Sequence, residues 1–226
     1  MSPIVAMGGG GFMMDGGALD DFALGIAREE RPRVCYVPTA GGDSEEKIGR
    51  FLDAFPQERA HAAVLRLFSR EVDDLAAFLL GQDVIYVAGG NTASMLAVWR
   101  AHGVDAILRE AWMRGIVLCG LSAGANCWFE GCSTDSFGTR LAPLRDGLGL
   151  LEGSFCPHYD GEAERQPTYR RWVADGALPP GYAADDGVGL VFDGAELVEA
   201  VTERPGGRAF RVDAGGEHPL TVRNLA

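Results

Sequence analysis

The chain has 226 residues, 47% of them hydrophobic and 23% charged, the composition of a folded protein with a sizeable core and not of a disordered or collagen-like chain. That length suits one domain spanning residues 1–226 better than two full-sized ones. Twenty basic residues against thirty-two acidic ones leave a net charge of −12, a field that disfavours nucleic acid and anionic membrane surfaces as partners.

In chain order, short apolar runs at 4–7, 34–37 and 62–68 are each followed by an amphipathic stretch, at 19–27, 45–55 and 72–80. This β-α rhythm continues. Residues 83–88 predict a strand, Asn91 and Thr92 are placed to cap a helix from 93 to about 101, and a second helix over 104–113 follows Gly103. Residues 116–119 then read as a strand buried on both faces, the signature of a parallel sheet. Beyond Cys132 one helix is expected around 163–174. Strands at 187–192, 196–201 and 209–212, divided by Asp193-Gly194 and Pro205-Gly-Gly207, predict a small antiparallel meander.

The five cysteines, Cys35, Cys119, Cys127, Cys132 and Cys156, form no C-x-x-C pair and mostly sit in apolar company, as expected of a reduced, cytoplasmic chain. No leader is evident at the N-terminus, and no apolar run approaches the ~18 residues of a membrane span.

Gly120-Leu-Ser-Ala-Gly124 matches G-x-S-x-G directly after a predicted buried strand. A serine on such a turn projects its hydroxyl from the sheet edge, with the N–H of Ala123 facing a developing oxyanion; the alternative is that Ser122 only caps the next helix. Of His61, His102, His158 and His218, His158 is the best candidate base, because it follows Ser154-Phe-Cys-Pro157 on a loop at a strand's end. Asp135 leads as the carboxylate that would hold the imidazole, with Glu162 and Asp160 as competitors. A second glycine turn, Gly89-Gly90, would supply the other oxyanion donor, and Asn91 beside it would both cap a helix and face substrate. Arg165, Arg170 and Arg171 either pair with a substrate carboxylate or form a solvated helix face. Gly8-Gly-Gly-Gly11 invites a dinucleotide reading, but Met13 stands where G-x-G-x-x-G needs glycine. No zinc-binding or phosphate-loop motif occurs, so neither a metal nor a cofactor is expected.

Gly89-Gly-Asn-Thr92, Gly120-Leu-Ser-Ala-Gly-Ala-Asn126 and Pro157-His158, in that order, resemble the peptidase E family of serine peptidases, which includes cyanophycinase-like enzymes. The resemblance implies a three-layer α/β/α sandwich like that of class I glutamine amidotransferases, with a mostly parallel central sheet. It also implies Ser122 as nucleophile, His158 as base, Asp135 as acid and a homodimeric assembly. The expected activity is hydrolysis of short peptides, in the manner of a dipeptidase acting after an N-terminal aspartate. The loop after His158 is shorter than the family's, which leaves the aspartyl preference open. Two other readings stand beside it. One is an α/β-hydrolase-type esterase with His218 as base, and the other is a non-catalytic amidotransferase-like domain that binds a small ligand.

Overall fold

The computed structural model describes residues 2–14 and 16–225. Its first half alternates strands and helices: β1 (Pro3–Met7), α1 (Ala18–Ile26), β2 (Arg33–Val37), α2 (Glu45–Ala54), β3 (His61–Val64), α3 (Leu75–Leu80), β4 (Val84–Val87), α4 (Thr92–His102), α5 (Val104–Met113) and β5 (Val117–Leu121). A single-turn helix, α6 (Ala123–Asn126), leads into β6 (Phe129–Thr134), β7 (Ala142–Leu144), β8 (Leu151–Cys156), α7 (Arg165–Ala174) and β9 (Gly181–Ala184). The chain ends with β10 (Val188–Asp193), β11 (Glu196–Thr202), β12 (Ala209–Asp213), β13 (Gly216–Pro219) and β14 (Val222–Asn224).

Local chemistry sets the boundaries. Ser44, Asp74 and Asn91 accept hydrogen bonds from the backbone N–H three residues on, at 3.5, 2.9 and 2.8 Å, and so open α2, α3 and α4. Asn91 thus takes the capping role expected of it. Gly103, at φ +71°, ends α4 and starts α5 in one residue, in the left-handed region that glycine adopts without steric cost.

The strands form two sheets. Eight make a central sheet in the order β14-β11-β10-β1-β5-β4-β2-β3, in which β1, β5, β4, β2 and β3 run parallel. Every residue of β4 and β5 is buried, because helices or the second sheet cover both faces. One face packs under α1 and α2, where Phe12, Tyr36, Phe51, Phe55 and Tyr86 form an aromatic cluster with Tyr36 stacked on Phe51 at 4.6 Å. The other face packs under α3, α4 and α5, and the same apolar cluster continues through Trp128, Phe129 and Phe155 into the second sheet.

That second sheet has the order β13-β12-β9-β8-β6-β7 and carries α7 on Tyr169 and Val173. The C-terminal antiparallel strands expected from the turn residues are all present, and they are divided between the sheets. The β10–β11 hairpin extends the central sheet beyond β1, whereas β12 pairs with β9 and β13 in the second sheet. Pro205-Gly-Gly207 is therefore a crossing between sheets, and a turn signal alone carries no information about which edge the next strand joins. Among the described residues no helix is long and apolar enough to cross a membrane.

One buried carboxyl lies beneath the glycine-rich loop that follows β1. Asp20 is 1% exposed and accepts from the Phe12 N–H at 2.7 Å and the Tyr86 hydroxyl at 2.9 Å. Burial outweighs both hydrogen bonds and raises its pKa from 3.8 to about 6. The folded protein holds this proton to higher pH than the unfolded chain does, so the contribution of Asp20 to stability falls as pH rises from about 4 to about 6. Ionised at neutral pH, the group costs the fold on the order of 3 kcal/mol relative to its protonated form. Asp20→Asn, which mimics that form, is expected to gain on the wild type by up to about 3 kcal/mol between pH 4 and pH 7.5 in urea unfolding. A stability difference that does not change with pH would show that Asp20 titrates alike in both states.

Candidate active site

The central strands β1, β5 and β4 are neighbours and parallel, with Met7 opposite Leu121 and Val87 opposite Gly120, so the turns that follow them leave one edge of the sheet together. Ser122 is the residue after β5. Its backbone lies at φ +54°, ψ −114°, a conformation that L side chains rarely adopt. The turn is possible because the motif's glycines pack without room for a side chain: a Cβ on Gly124 would lie 2.3 Å from the Val87 carbonyl, and one on Gly120 would lie 2.5 Å from that of Gly124. The Ser122 carbonyl accepts from the Ala125 and Asn126 N–H groups at 3.0 and 2.8 Å, while its side chain makes no capping bond. The hydroxyl is thus left to the solvent side, and helix capping by the side chain is not its role.

His158 comes from the second sheet. It lies two residues past the end of β8, and Asp186 lies two residues past the end of β9; these strands are parallel partners, with Cys156 opposite Ala183. This register brings the two side chains together, with His158 Nδ1 2.5 Å from Asp186 Oδ1. His158 also has a left-handed backbone, at φ +50°. Of the four non-glycine residues with positive φ among those described, Arg28, Asp43, Ser122 and His158, two belong to this site.

Strand β1 joins the two halves. Successive carbonyls at its end accept from three different segments: Met7 from the Ser122 N–H at 3.0 Å, Gly8 from the His158 N–H at 3.1 Å, and Gly9 from the Gly187 N–H at 3.0 Å. A Cβ on Gly9 would lie 2.1 Å from Asp186 Oδ1 and 3.0 Å from the His158 ring. The glycine run that superficially suggested a nucleotide loop thus lets the backbone pass directly against the His158–Asp186 pair.

Ser122 and His158 line one cavity of about 350 Å³ with Gly90, Asn91, Asn126, Asp135, Glu162 and Arg165. Gly90 faces it at φ +147°, and its N–H has no acceptor among the described residues. Gly89 lies behind, 3.3 Å from the Ser122 Cβ at the position a Cβ would take. Ala123 begins α6, where a helical N–H has no intrahelical partner.

The carboxylate bonded to the imidazole is not the one expected. Asp135 lines the cavity but stands on an exposed turn, and the carboxylate on the imidazole is that of Asp186. Glu162 is turned to Arg165, at 3.0 Å, and Asp160 Oδ1 accepts from the Asp186 N–H at 2.9 Å. The arginines separate as well. Arg165 enters the cavity, Arg170 pairs with Glu217 at 3.5 Å outside it, and Arg171 lines an adjoining cavity. His218 is exposed on β13 beside Asp213, so it supports no esterase arrangement. The sequence signal for Asp186 was Asp185-Asp186-Gly187, an acidic turn directly after a run of small apolar residues.

Two buried polar atoms at the cavity have no partner among the described residues. Asn126 donates from Nδ2 to the Ser133 carbonyl at 3.2 Å and leaves Oδ1 unpaired; Arg165, 4% exposed, leaves its Nε–H unpaired. Both atoms are enclosed by protein, behind the cavity wall that the two residues form.

A serine on a strand-to-helix elbow and a histidine bonded to a carboxylate, lining one cavity, are the residue types that serine hydrolases use. The family model of peptidase family S51 matches residues 4–200, and the chain belongs to that family of serine peptidases. It is 47% identical over 231 residues to the uncharacterized peptidase YgaJ of Bacillus subtilis (strain 168), covering 100% of both chains. It is 28% identical over 173 residues to peptidase E of Shewanella denitrificans, covering 72% of each. Two crystal structures share the fold. A peptidase from an acI-B1 actinobacterium superposes with a TM-score of 0.67 at 20% identity, covering 98% of this chain and 95% of that one. A putative peptidase E protein from Listeria monocytogenes EGD-e gives 0.63 at 18%, covering 88% and 97%.

Gly9→Ala places a methyl group where Asp186 Oδ1 now sits. The expected result is a folded protein whose peptide turnover falls about 100-fold, since displacement of a reacting group by about 1 Å has that effect. Circular dichroism and a kcat measurement on the same preparation check it; unchanged kcat would show that the pair tolerates displacement.

Proposed function

We propose that the protein is an exopeptidase that removes an acidic N-terminal residue from short peptides through a Ser122–His158–Asp186 triad. In this reading Ser122 Oγ attacks the scissile carbonyl while His158 takes its proton, and Asp186 stabilises the imidazolium and fixes the ring tautomer. The N–H groups of Gly90 and Ala123 stabilise the oxyanion, with Gly89 as the spacer behind them. His158 then passes the proton to the leaving amine, and water hydrolyses the acyl-enzyme with the same imidazole as base.

The observation that carries the specificity is the guanidinium of Arg165, a buried cation on the cavity wall whose single carboxylate partner is Glu162. A substrate carboxylate is attracted to this cation in a way a neutral side chain is not. Asp135 gives the same cavity an exposed carboxylate, which suits the α-ammonium of a peptide's first residue. Asn91 is held as a helix cap and through Nδ2 to the Ser136 carbonyl at 2.9 Å, so it supports this wall and leaves recognition to its neighbours.

A panel of dipeptides with aspartyl, glutamyl, neutral and basic first residues tests the reading. Ser122→Ala is expected to abolish turnover, and Asp186→Asn to lower kcat about 10³- to 10⁴-fold. Asp135→Asn is expected to retain kcat and raise KM. Arg165→Gln is expected to lower kcat/KM for acidic substrates about 10- to 100-fold while sparing neutral ones. Full activity in Asp186→Asn together with loss in Asp135→Asn would return the acid role to Asp135.

In this reading the leaving residue extends from the cavity of Ser122 past Glu162, which lines it. Glu162 also borders the adjoining cavity, of about 480 Å³, which holds Arg140, Arg171 and Trp172. Neither arginine has an ion-pair partner among the described residues. In this reading they receive the free carboxylate of the leaving amino acid. Dipeptides are therefore expected to exceed their C-terminal amides in kcat/KM by about tenfold, a preference that Arg171→Ala abolishes. Equal loss on peptide and amide would place Arg171 outside recognition.

A further inference from the structure

Three consecutive residues, Thr202 at the end of β11 and Glu203 and Arg204 after it, reach both sides of the His158–Asp186 pair without lining the cavity. The carboxylate of Glu203 accepts from the Gly11 N–H at 2.7 Å through Oε1, and from the Gly17 and Leu19 N–H groups at 3.2 and 3.1 Å through Oε2. It thereby ties the middle of the loop after β1 to its end and to the first turn of α1; the Gly8 and Gly9 carbonyls of the same loop take the His158 and Gly187 N–H groups. The approach is close, since a Cβ on Gly10 would lie 2.5 Å from Glu203 Oε1.

The same turn grips the Asp186 side. The Glu203 N–H donates to the Gly187 carbonyl at 2.9 Å, and the Thr202 hydroxyl donates to that carbonyl at 3.1 Å. Arg204 pairs with Asp160, and Asp160 Oδ1 accepts from the Asp186 N–H at 2.9 Å. Burial pushes the Asp160 carboxyl up, but the Asp186 N–H and the Arg204 guanidinium outweigh it and hold it below the usual range, so Asp160 remains an acceptor.

We propose that Thr202-Glu203-Arg204 is a positioning clamp for the His158–Asp186 pair. Glu203 fixes the loop against which the pair rests, and Arg204, through Asp160, fixes the backbone that presents the Asp186 carboxylate. None of the three touches substrate. A carboxylate that accepts three backbone N–H groups from a distant loop and the first turn of α1 has a bonding pattern that neither glutamine nor aspartate reproduces: glutamine brings donors against donors, and aspartate is one methylene short. The clamp rests on the triad reading above, because its only action is through Asp186 and His158.

The test compares wild type with Glu203→Ala, Arg204→Ala, Asp186→Asn and the double variant Asp186→Asn/Glu203→Ala. Two rates are measured: peptide turnover, and labelling of Ser122 by diisopropyl fluorophosphate, which needs no knowledge of the substrate. Glu203→Ala is expected to lower kcat and the labelling rate about 10- to 100-fold with KM within about threefold of wild type. The double variant is expected to be no slower than Asp186→Asn alone, because the clamp has nothing left to position. Arg204 is half-exposed, so Arg204→Ala gives a second folded variant in which the same coupling is read.

A folded Glu203→Ala with wild-type rates overturns the clamp, and so do losses that multiply with Asp186→Asn, which mark a general structural role. Wild type that labels at Ser122 but cleaves no acidic dipeptide overturns the substrate assignment and leaves the clamp readable from labelling. Wild type that neither labels nor cleaves overturns both.

Discussion

Three successive carbonyls at the end of the first strand organise this molecule. Met7, Gly8 and Gly9 accept from Ser122, His158 and Gly187, segments that lie about 115, 150 and 178 residues further along the chain. A strand buried between β5 and β10 cannot shift without breaking two ladders, so its last carbonyls form a rigid ruler against which the elbow, the imidazole turn and the acidic turn are all set. The side chains of the proposed triad come from two different sheets, and this backbone is where those sheets are brought into register. That is why a run of glycines follows β1: any side chain at Gly9 would occupy the space of the His158–Asp186 pair.

The same rigidity sustains local strain. Ser122 and His158 both hold left-handed backbones, each at a cost of about 1–3 kcal/mol, and such conformations persist only where the surroundings over-determine them. Each is fixed from both directions. Ser122 donates to Met7 and accepts from Ala125 and Asn126; His158 donates to Gly8 and accepts from the Gly161 N–H at 3.0 Å. The strain has a geometric consequence, for it turns each side chain away from its own strand and toward the shared cavity. Reorganisation at the moment of reaction is then small, because the costs of orientation are met in folding.

How far the site could be read in the sequence depended on how local its causes were. The Ser122 elbow was legible because strand, glycines and serine are contiguous, and the steric reasons for Gly120 and Gly124 lie within the elbow and the adjacent strand. His158 was legible for a similar reason, since Pro157 stops β8 just before it. Asp186 was not, because what pairs it with His158 is the parallel register of β8 on β9, a contact between strands about thirty residues apart with α7 between them. Asp135 was favoured by order along the chain, which says nothing about which strand end faces an imidazole. The C-terminal strands show the same limit: their turns were visible in Asp193-Gly194 and Pro205-Gly-Gly207, whereas the sheet each strand joins is decided by edges that the sequence does not mark.

Charge and burial together explain how a protein of net charge −12 can accommodate an anionic substrate in the proposed reading. At a distance the field opposes an acidic peptide, but ionic strength screens it over about 8 Å at physiological salt. At the cavity wall the Arg165 guanidinium is 4% exposed and paired with Glu162, so in the proposed reading its attraction to a substrate carboxylate is screened less by salt than the long-range repulsion is. Arg140 and Arg171 lie in the open and are screened like any surface cation. In the proposed reading, discrimination at the first residue belongs to a desolvated contact that salt scarcely weakens, and recognition of the leaving carboxylate to an exposed one that salt weakens readily. A tight, specific grip on the residue that forms the acyl-enzyme and a loose one on the residue that must depart first is the asymmetry an acyl-transfer peptidase requires.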